Sequence, residues 1–149
     1  GCAAVTFGLP LSAMALAWAR FGAATEPAPL RLRAAMSAHP DLVAGTGRLC
    51  TELMAALPGR VLAKIGAAGI YCATLPELGL GVALKVADGD SEVSPPALLA
   101  VLSAVIERAG LTAQYDLARV AHHATQPILN TRGARVGTLR AAGVLRFHD

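Results

Sequence analysis

Residues 45–86 read GTGRLCTELMAALPGRVLAKIGAAGIYCATLPELGLGVALKV, and the spacing of the apolar residues changes once along them. From Thr51 to Leu57 the residues Leu53, Met54 and Leu57 recur at helical intervals, which predicts a short helix closed by Pro58-Gly59. From Arg60 the period drops to two: Val61, Ala63 and Ile65 point one way, and Arg60, Leu62 and Lys64 the other. Gly66 to Gly69 and Pro76 to Gly79 permit tight reversals into Ile70–Leu75 and Leu80–Val86. The expected unit is an antiparallel three-strand meander.

On the amino-terminal side, Gly1 to Leu9 reads as an extended or irregular apolar entry stopped by Pro10. Leu11 to Phe21 places Leu11, Met14, Ala15 and Trp18 at helical spacing, a core-facing helix with Gly22 as its stop. Pro27 and Pro29 suit the start of a second helix, Leu30 to Ala38. On the carboxy-terminal side, Asp88-Gly89-Asp90 marks a turn, and Ser94 reads as an N-cap with Pro95 at the first helical position of a helix running to Ala109. A further helix is predicted from Thr112 to Ala124. Arg135 to Arg140 supplies a strand, with Asn130 to Gly133 as its turn and Val144 to Phe147 as a further extended candidate. The fold class is α+β, an antiparallel sheet made of the meander plus the C-terminal strand and packed with helices.

With 149 residues the chain has the size of one domain. Hydrophobic residues make up 54% but aromatics only 4%, so the apolar character comes from Ala, Leu and Val. The uncharged run from Ala3 to Ala19 is broken by Gly8 and Pro10 and falls short of the roughly 20 apolar residues of a spanning helix, which argues against a membrane segment. The net charge of +3 comes from scattered arginines without a basic cluster or an aromatic platform, which argues against nucleic acid as a partner. Three cysteines without regular spacing do not form a disulfide framework, so a reducing, cytoplasmic setting is expected. The chain begins GCAAV without a Met, as a cut in a longer polypeptide would.

Few residues carry chemistry. Lys64 stands at the end of an otherwise apolar strand and is followed by Ile65-Gly66; a lysine so placed resembles the strand lysine of serine β-lactamases and penicillin-binding proteins. Beside a nucleophile such an amine accepts a proton or, as a cation, stabilises developing negative charge. Lys85, on the face opposite Leu80, Val82 and Leu84, reads as solvated and serves as an internal comparison. Cys2 supplies at most one bond to a zinc ion that takes about four ligands; Cys50, at the helix entry, and Cys72, in mid-strand, read as buried. His39, His122, His123 and His148 show no ligand spacing. His122 and His123, being adjacent, are expected to diverge on a helix and to lie at the surface. No Ser-x-x-Lys pair, nucleophile elbow, phosphate loop or carboxylate pair is present.

Three stretches together resemble one family. AHPDLVAGTGRLCTELMAALPGRVLAKIGAAGIYCATLPELGLGVALKVADGD, the entry GCAAVTFGLPLSAMALAWARFG and the closing PILNTRGARVGTLR are similar to the C-terminal half of the bacterial L-asparaginase II family, the class 3 or rhizobial-type asparaginases. The resemblance implies a serine-β-lactamase-like fold that hydrolyses L-asparagine to L-aspartate and ammonia, as a homodimer. It implies that residues 1–149 are a single C-terminal segment whose nucleophilic serine and Ser-x-x-Lys partner lie upstream. By the same resemblance Lys64 matches the catalytic strand lysine and Cys2 a zinc ligand whose protein partners also lie upstream. Cys50 matches a cysteine near that site. The chain departs from the family pattern at Ala3 and Val5, where Gly and Pro are common, and at Ala68, where an acidic residue often stands. Two other readings stay open: a related serine amidohydrolase acting on another amide, and a non-catalytic binding or dimerisation module on the same scaffold.

Overall fold

The computed structural model describes residues 3–143 and 145–147. After an irregular entry, in which Val5 and Phe7 are exposed, come α1 (Leu11–Ala23), α2 (Pro27–Ala38), α3 (Pro40–Ala44), α4 (Leu49–Ala56), β1 (Leu62–Ile65), β2 (Ile70–Leu75) and β3 (Leu80–Lys85). Then follow α5 (Ser94–Arg108), a 3-10 segment (Leu117–Ala124), β4 (Thr125–Leu129) and β5 (Arg135–Arg140). The fold is α+β. The meander is antiparallel, in the order β1-β2-β3, with Ala63 opposite Ala73 and Ala73 opposite Val82. The C-terminal strand β5 is present; it pairs with β4 in a two-stranded sheet of its own.

Alternation along the strands gives the meander two buried faces. Val61, Ala63, Tyr71, Ala73, Leu75 and Val82 face α4 and α5, whose Leu53, Met54, Leu98 and Leu102 are fully enclosed. Leu62, Cys72 and Thr74 face the other way, where α1 covers β2 and β3. Every residue from Tyr71 to Leu75 is buried, as expected of a central strand clothed on both sides. The α1 layer lies so close because glycine stands at the crossing. A Cβ added at Gly81 would overlap the Ala15 carbonyl oxygen and the Ala19 amide nitrogen, and one at Gly22 would overlap the Thr74 side chain. Small residues on α1, with Trp18 and Phe21 half-buried beside them, thus meet bare backbone on β3. Leu11, read as core-facing, is 42% exposed because it precedes the part of the helix that crosses the sheet. Arg33 of α2 donates through Nη1 to the Phe21 carbonyl at 2.6 Å and to the Gly22 carbonyl, closing the end of α1.

Three elements differ from expectation. The predicted helix over Thr112–Ala124 is a series of turns followed by 3-10 structure from Leu117, because Asp116 leaves helical geometry (ψ 86°) and its carboxylate accepts from the Ala118 N–H at 3.1 Å. Ser94 is the first residue of α5 and not its cap. Pro95 and Pro96 offer no N–H to a capping oxygen, and the Ser94 hydroxyl donates to the Ser91 carbonyl at 2.8 Å instead. Strand β4 was not foreseen, since Pro127 within it argues against a strand; it is tolerated in a ribbon of only two strands.

Gly81→Ala is expected to destabilise the fold by at least about 2 kcal/mol, roughly 4–8 °C in melting temperature, while Gly8→Ala, in open space, leaves it unchanged. Thermal unfolding followed by circular dichroism checks this, and coincident melts for the two variants would contradict the close packing of α1 on β3.

Candidate functional site

Strand β1 lies at the edge of the meander, and its last two residues face opposite ways. Lys64, opposite Cys72, is on the α1 side of the sheet and exposed, and its Nζ donates to the Ile65 carbonyl at 2.8 Å. Lys85, opposite Ile70 on the same face, is also exposed and donates to the carbonyl of the next residue, Val86. The two strand-end lysines therefore have the same surroundings in kind. Ile65 turns toward the other face, and its N–H, pointing off the open edge of the sheet, is taken up by the sulfur of Cys50 at 3.2 Å.

Cys50 is wholly enclosed, and its Sγ also shares a hydrogen with the Tyr71 hydroxyl at 2.9 Å. Burial raises the thiol's pKa; the bonds from Tyr71 and Ile65 and the charge of Lys64 oppose the rise without cancelling it. Tyr71 is held well above the ordinary tyrosine range, by burial first and by Cys50 second. The thiol is thus neutral near pH 7 and a poor nucleophile; its part is to join α4 to β1 and β2.

On the Ile65 side of the sheet is a cavity of about 350 Å³, whose wall includes Arg48, Ile65, Tyr71, Glu92, His122 and His123. Nε2 of His122 lies 2.8 Å, and Nε2 of His123 2.9 Å, from the same oxygen of Glu52, with the ring centroids 4.2 Å apart. The expectation that these histidines diverge is corrected here. They sit on 3-10 rather than α-helical backbone, and both rings turn to the one carboxylate that α4 presents. His122 is exposed, but His123 is only 9% exposed. Nothing in the local spacing announces the group, because Glu52 is far from both in the chain.

Of the residues singled out from the sequence, Lys64 and Cys50 come near one another, on either side of the β1 end, with Lys64 acting on the thiol through its charge. Lys64 does not line the cavity; its neighbour Ile65 does. Cys2 lies outside the described residues. Cys72 is a buried free thiol within β2, raised in pKa by burial. Among the described residues, neither Cys50 nor Cys72 joins a group of three or more converging donor atoms. The converging group is Glu52, His122 and His123.

The fold and this site define an α+β protein built on an antiparallel sheet clothed by helices, with a lysine at the end of its first strand. The L-asparaginase II family profile matches residues 1–141, and the chain belongs to that family. No curated protein matches the chain. Membership supports an asparaginase-type amidohydrolase function in general terms. None of the described helices is long and apolar enough to cross a membrane.

The buried thiols set a pH dependence. An unfolded chain releases thiol protons from pH 9.0, whereas Cys50 and Cys72 in the folded chain hold theirs to higher pH. Their contribution is fully present below pH 9 and is lost as pH rises through the folded values, with Cys50 alone contributing a slope of up to about 1.4 kcal/mol per pH unit. Chemical denaturation is expected to show stability falling above about pH 9, less steeply in Cys50→Ala. Stability flat or rising over that range would contradict the enclosure of Cys50.

Proposed function

We propose that the chain is the C-terminal part of an L-asparaginase that hydrolyses L-asparagine to L-aspartate and ammonia by a serine/lysine mechanism. On this reading the attacking hydroxyl and its own lysine partner belong to an upstream segment. Lys64 adds its side-chain nitrogen at the end of β1, which as an ammonium stabilises negative charge developing on the attacked amide, or as a neutral amine takes a proton from a neighbouring hydroxyl. Hydrolysis then runs through attack of the serine oxygen on the side-chain carbonyl carbon of asparagine, departure of ammonia as the C–N bond breaks, and release of the acyl group to water. Cys2 would give one thiolate to a zinc ion completed by upstream residues. Homodimerisation and a cytoplasmic location belong to the same proposal.

One observation carries the reading: the family match spans nearly the whole chain and includes Lys64, exposed on an edge strand. A second reading has an observation of its own in its favour. Lys64 and Lys85 make the same kind of bond to the next carbonyl, which suits a binding or dimerisation module that keeps the scaffold without the chemistry. A serine amidohydrolase preferring another amide is the nearer alternative, and comparing turnover of asparagine, glutamine and a β-lactam separates it.

The 149-residue chain by itself is expected to release no ammonia from L-asparagine above the blank. In a polypeptide that also carries the upstream half, Lys64→Ala is expected to lower kcat by at least about 100-fold. Ammonia release by the isolated chain would overturn the division of the machinery, and near-normal turnover by a folded Lys64→Ala variant would remove Lys64 from the mechanism.

A further inference from the structure

We propose that Glu52, His122 and His123 bind one divalent transition-metal ion of the zinc class at the wall of the 350 Å³ cavity. The donor chemistry is two imidazoles and a carboxylate, a set that suits zinc and cobalt better than calcium or magnesium, which take oxygen ligands. The geometry is close to what an ion needs. Zinc binds nitrogen and oxygen at about 2.0–2.2 Å, so tetrahedral ligands sit about 3.3 Å apart. Here the Nε2 atoms are 2.8 and 2.9 Å from Glu52 Oε2, and the three donor atoms lie within 4.8 Å of one another. Entry of an ion requires the carboxylate oxygen to draw back by about half an ångström from each ring and the Nε2 hydrogens to leave those nitrogens.

Two rings converge on one carboxylate oxygen, with centroids 4.2 Å apart, and one of them, His123, is only 9% exposed. A dication at that point would replace the hydrogens on the two ring nitrogens and bind all three donors. The supports are unequal in a useful way. Glu52 is on α4, held by a helix whose inner face is wholly buried, while the histidines are on the less regular segment Leu117–Ala124. Glu52, about a third exposed, thus comes from a regular helix, and the buried His123 and exposed His122 from a less regular segment. Three protein ligands leave a coordination position for water or a small oxygen-donor molecule, on a site that borders the cavity near Glu92 and Gln126. Glu52, His122 and His123 share no ligand with the thiolate zinc that the family resemblance implies, and the proof of their site does not depend on asparaginase activity.

Titration of the chain with cobalt(II), followed by visible absorption and calorimetry, tests the assignment. One ion per chain is expected, with ligand-field bands and without the sulfur-to-cobalt charge-transfer band that a cysteine site produces. His122→Ala, which alters an exposed side chain, and Glu52→Gln are each expected to weaken binding by at least about 100-fold with the far-ultraviolet circular dichroism unchanged, whereas Cys2→Ser leaves this binding intact. Affinity and stoichiometry unmoved in both folded variants, a spectrum dominated by thiolate charge transfer, or no binding at millimolar cobalt would overturn the proposal.

Discussion

The sulfur of Cys50 is where α4, β1 and β2 are joined. It takes the N–H that Ile65 presents off the open edge of the sheet and pairs with the hydroxyl of Tyr71, so two polar groups that would otherwise be buried without partners are satisfied by one soft atom. An edge strand normally leaves such groups to water or to another chain. Fixing Ile65 fixes the direction of Lys64, because neighbouring residues on a strand face opposite ways. It also fixes one wall of the cavity, since Ile65 and Tyr71 both line it. The end of β1 is thus held from within by an inert thiol, which leaves the lysine amine on the outside.

The other face of the sheet depends on the absence of side chains. Gly81 and Gly22 let α1 lie directly on β3 and β2, and the arginine of α2 that closes α1 ties the two helices of the outer layer together. Five of the thirteen residues of α1 are alanine, which bury little area each, so much of the layer's contribution comes from closeness of approach, where dispersion contacts are most numerous. Trp18 and Phe21 supply the large apolar contacts beside them.

Period and punctuation made the meander legible: Val61, Ala63 and Ile65 alternate with Leu62 and Lys64, and glycine or proline stands at each reversal. The burial of Cys50 and Cys72 followed from residue type, but the bonds Cys50 makes did not, because Ile65 and Tyr71 reach it only once the hairpin has folded against α4. Ala68, singled out for its departure from the family pattern, adopts φ 53°, a left-handed conformation costly for alanine that the reversal imposes. The segment 112–124 misled because its apolar spacing is helical while Asp116 and the contact of His123 with Glu52 set its path. The Glu52–His122–His123 group was hidden for the same reason: its members meet through tertiary packing, and adjacent histidines carry no spacing signal.

The dependence of the β1 end on the Cys50 sulfur is open to direct measurement by amide hydrogen exchange at Ile65. The bond predicts protection comparable to that of the central strand β2 in the native chain, lost selectively in Cys50→Ala while β2 amides stay protected. Exchange at Ile65 as fast as at the exposed residues 67–68 of the native chain, or protection unaffected by removing the sulfur, would contradict it.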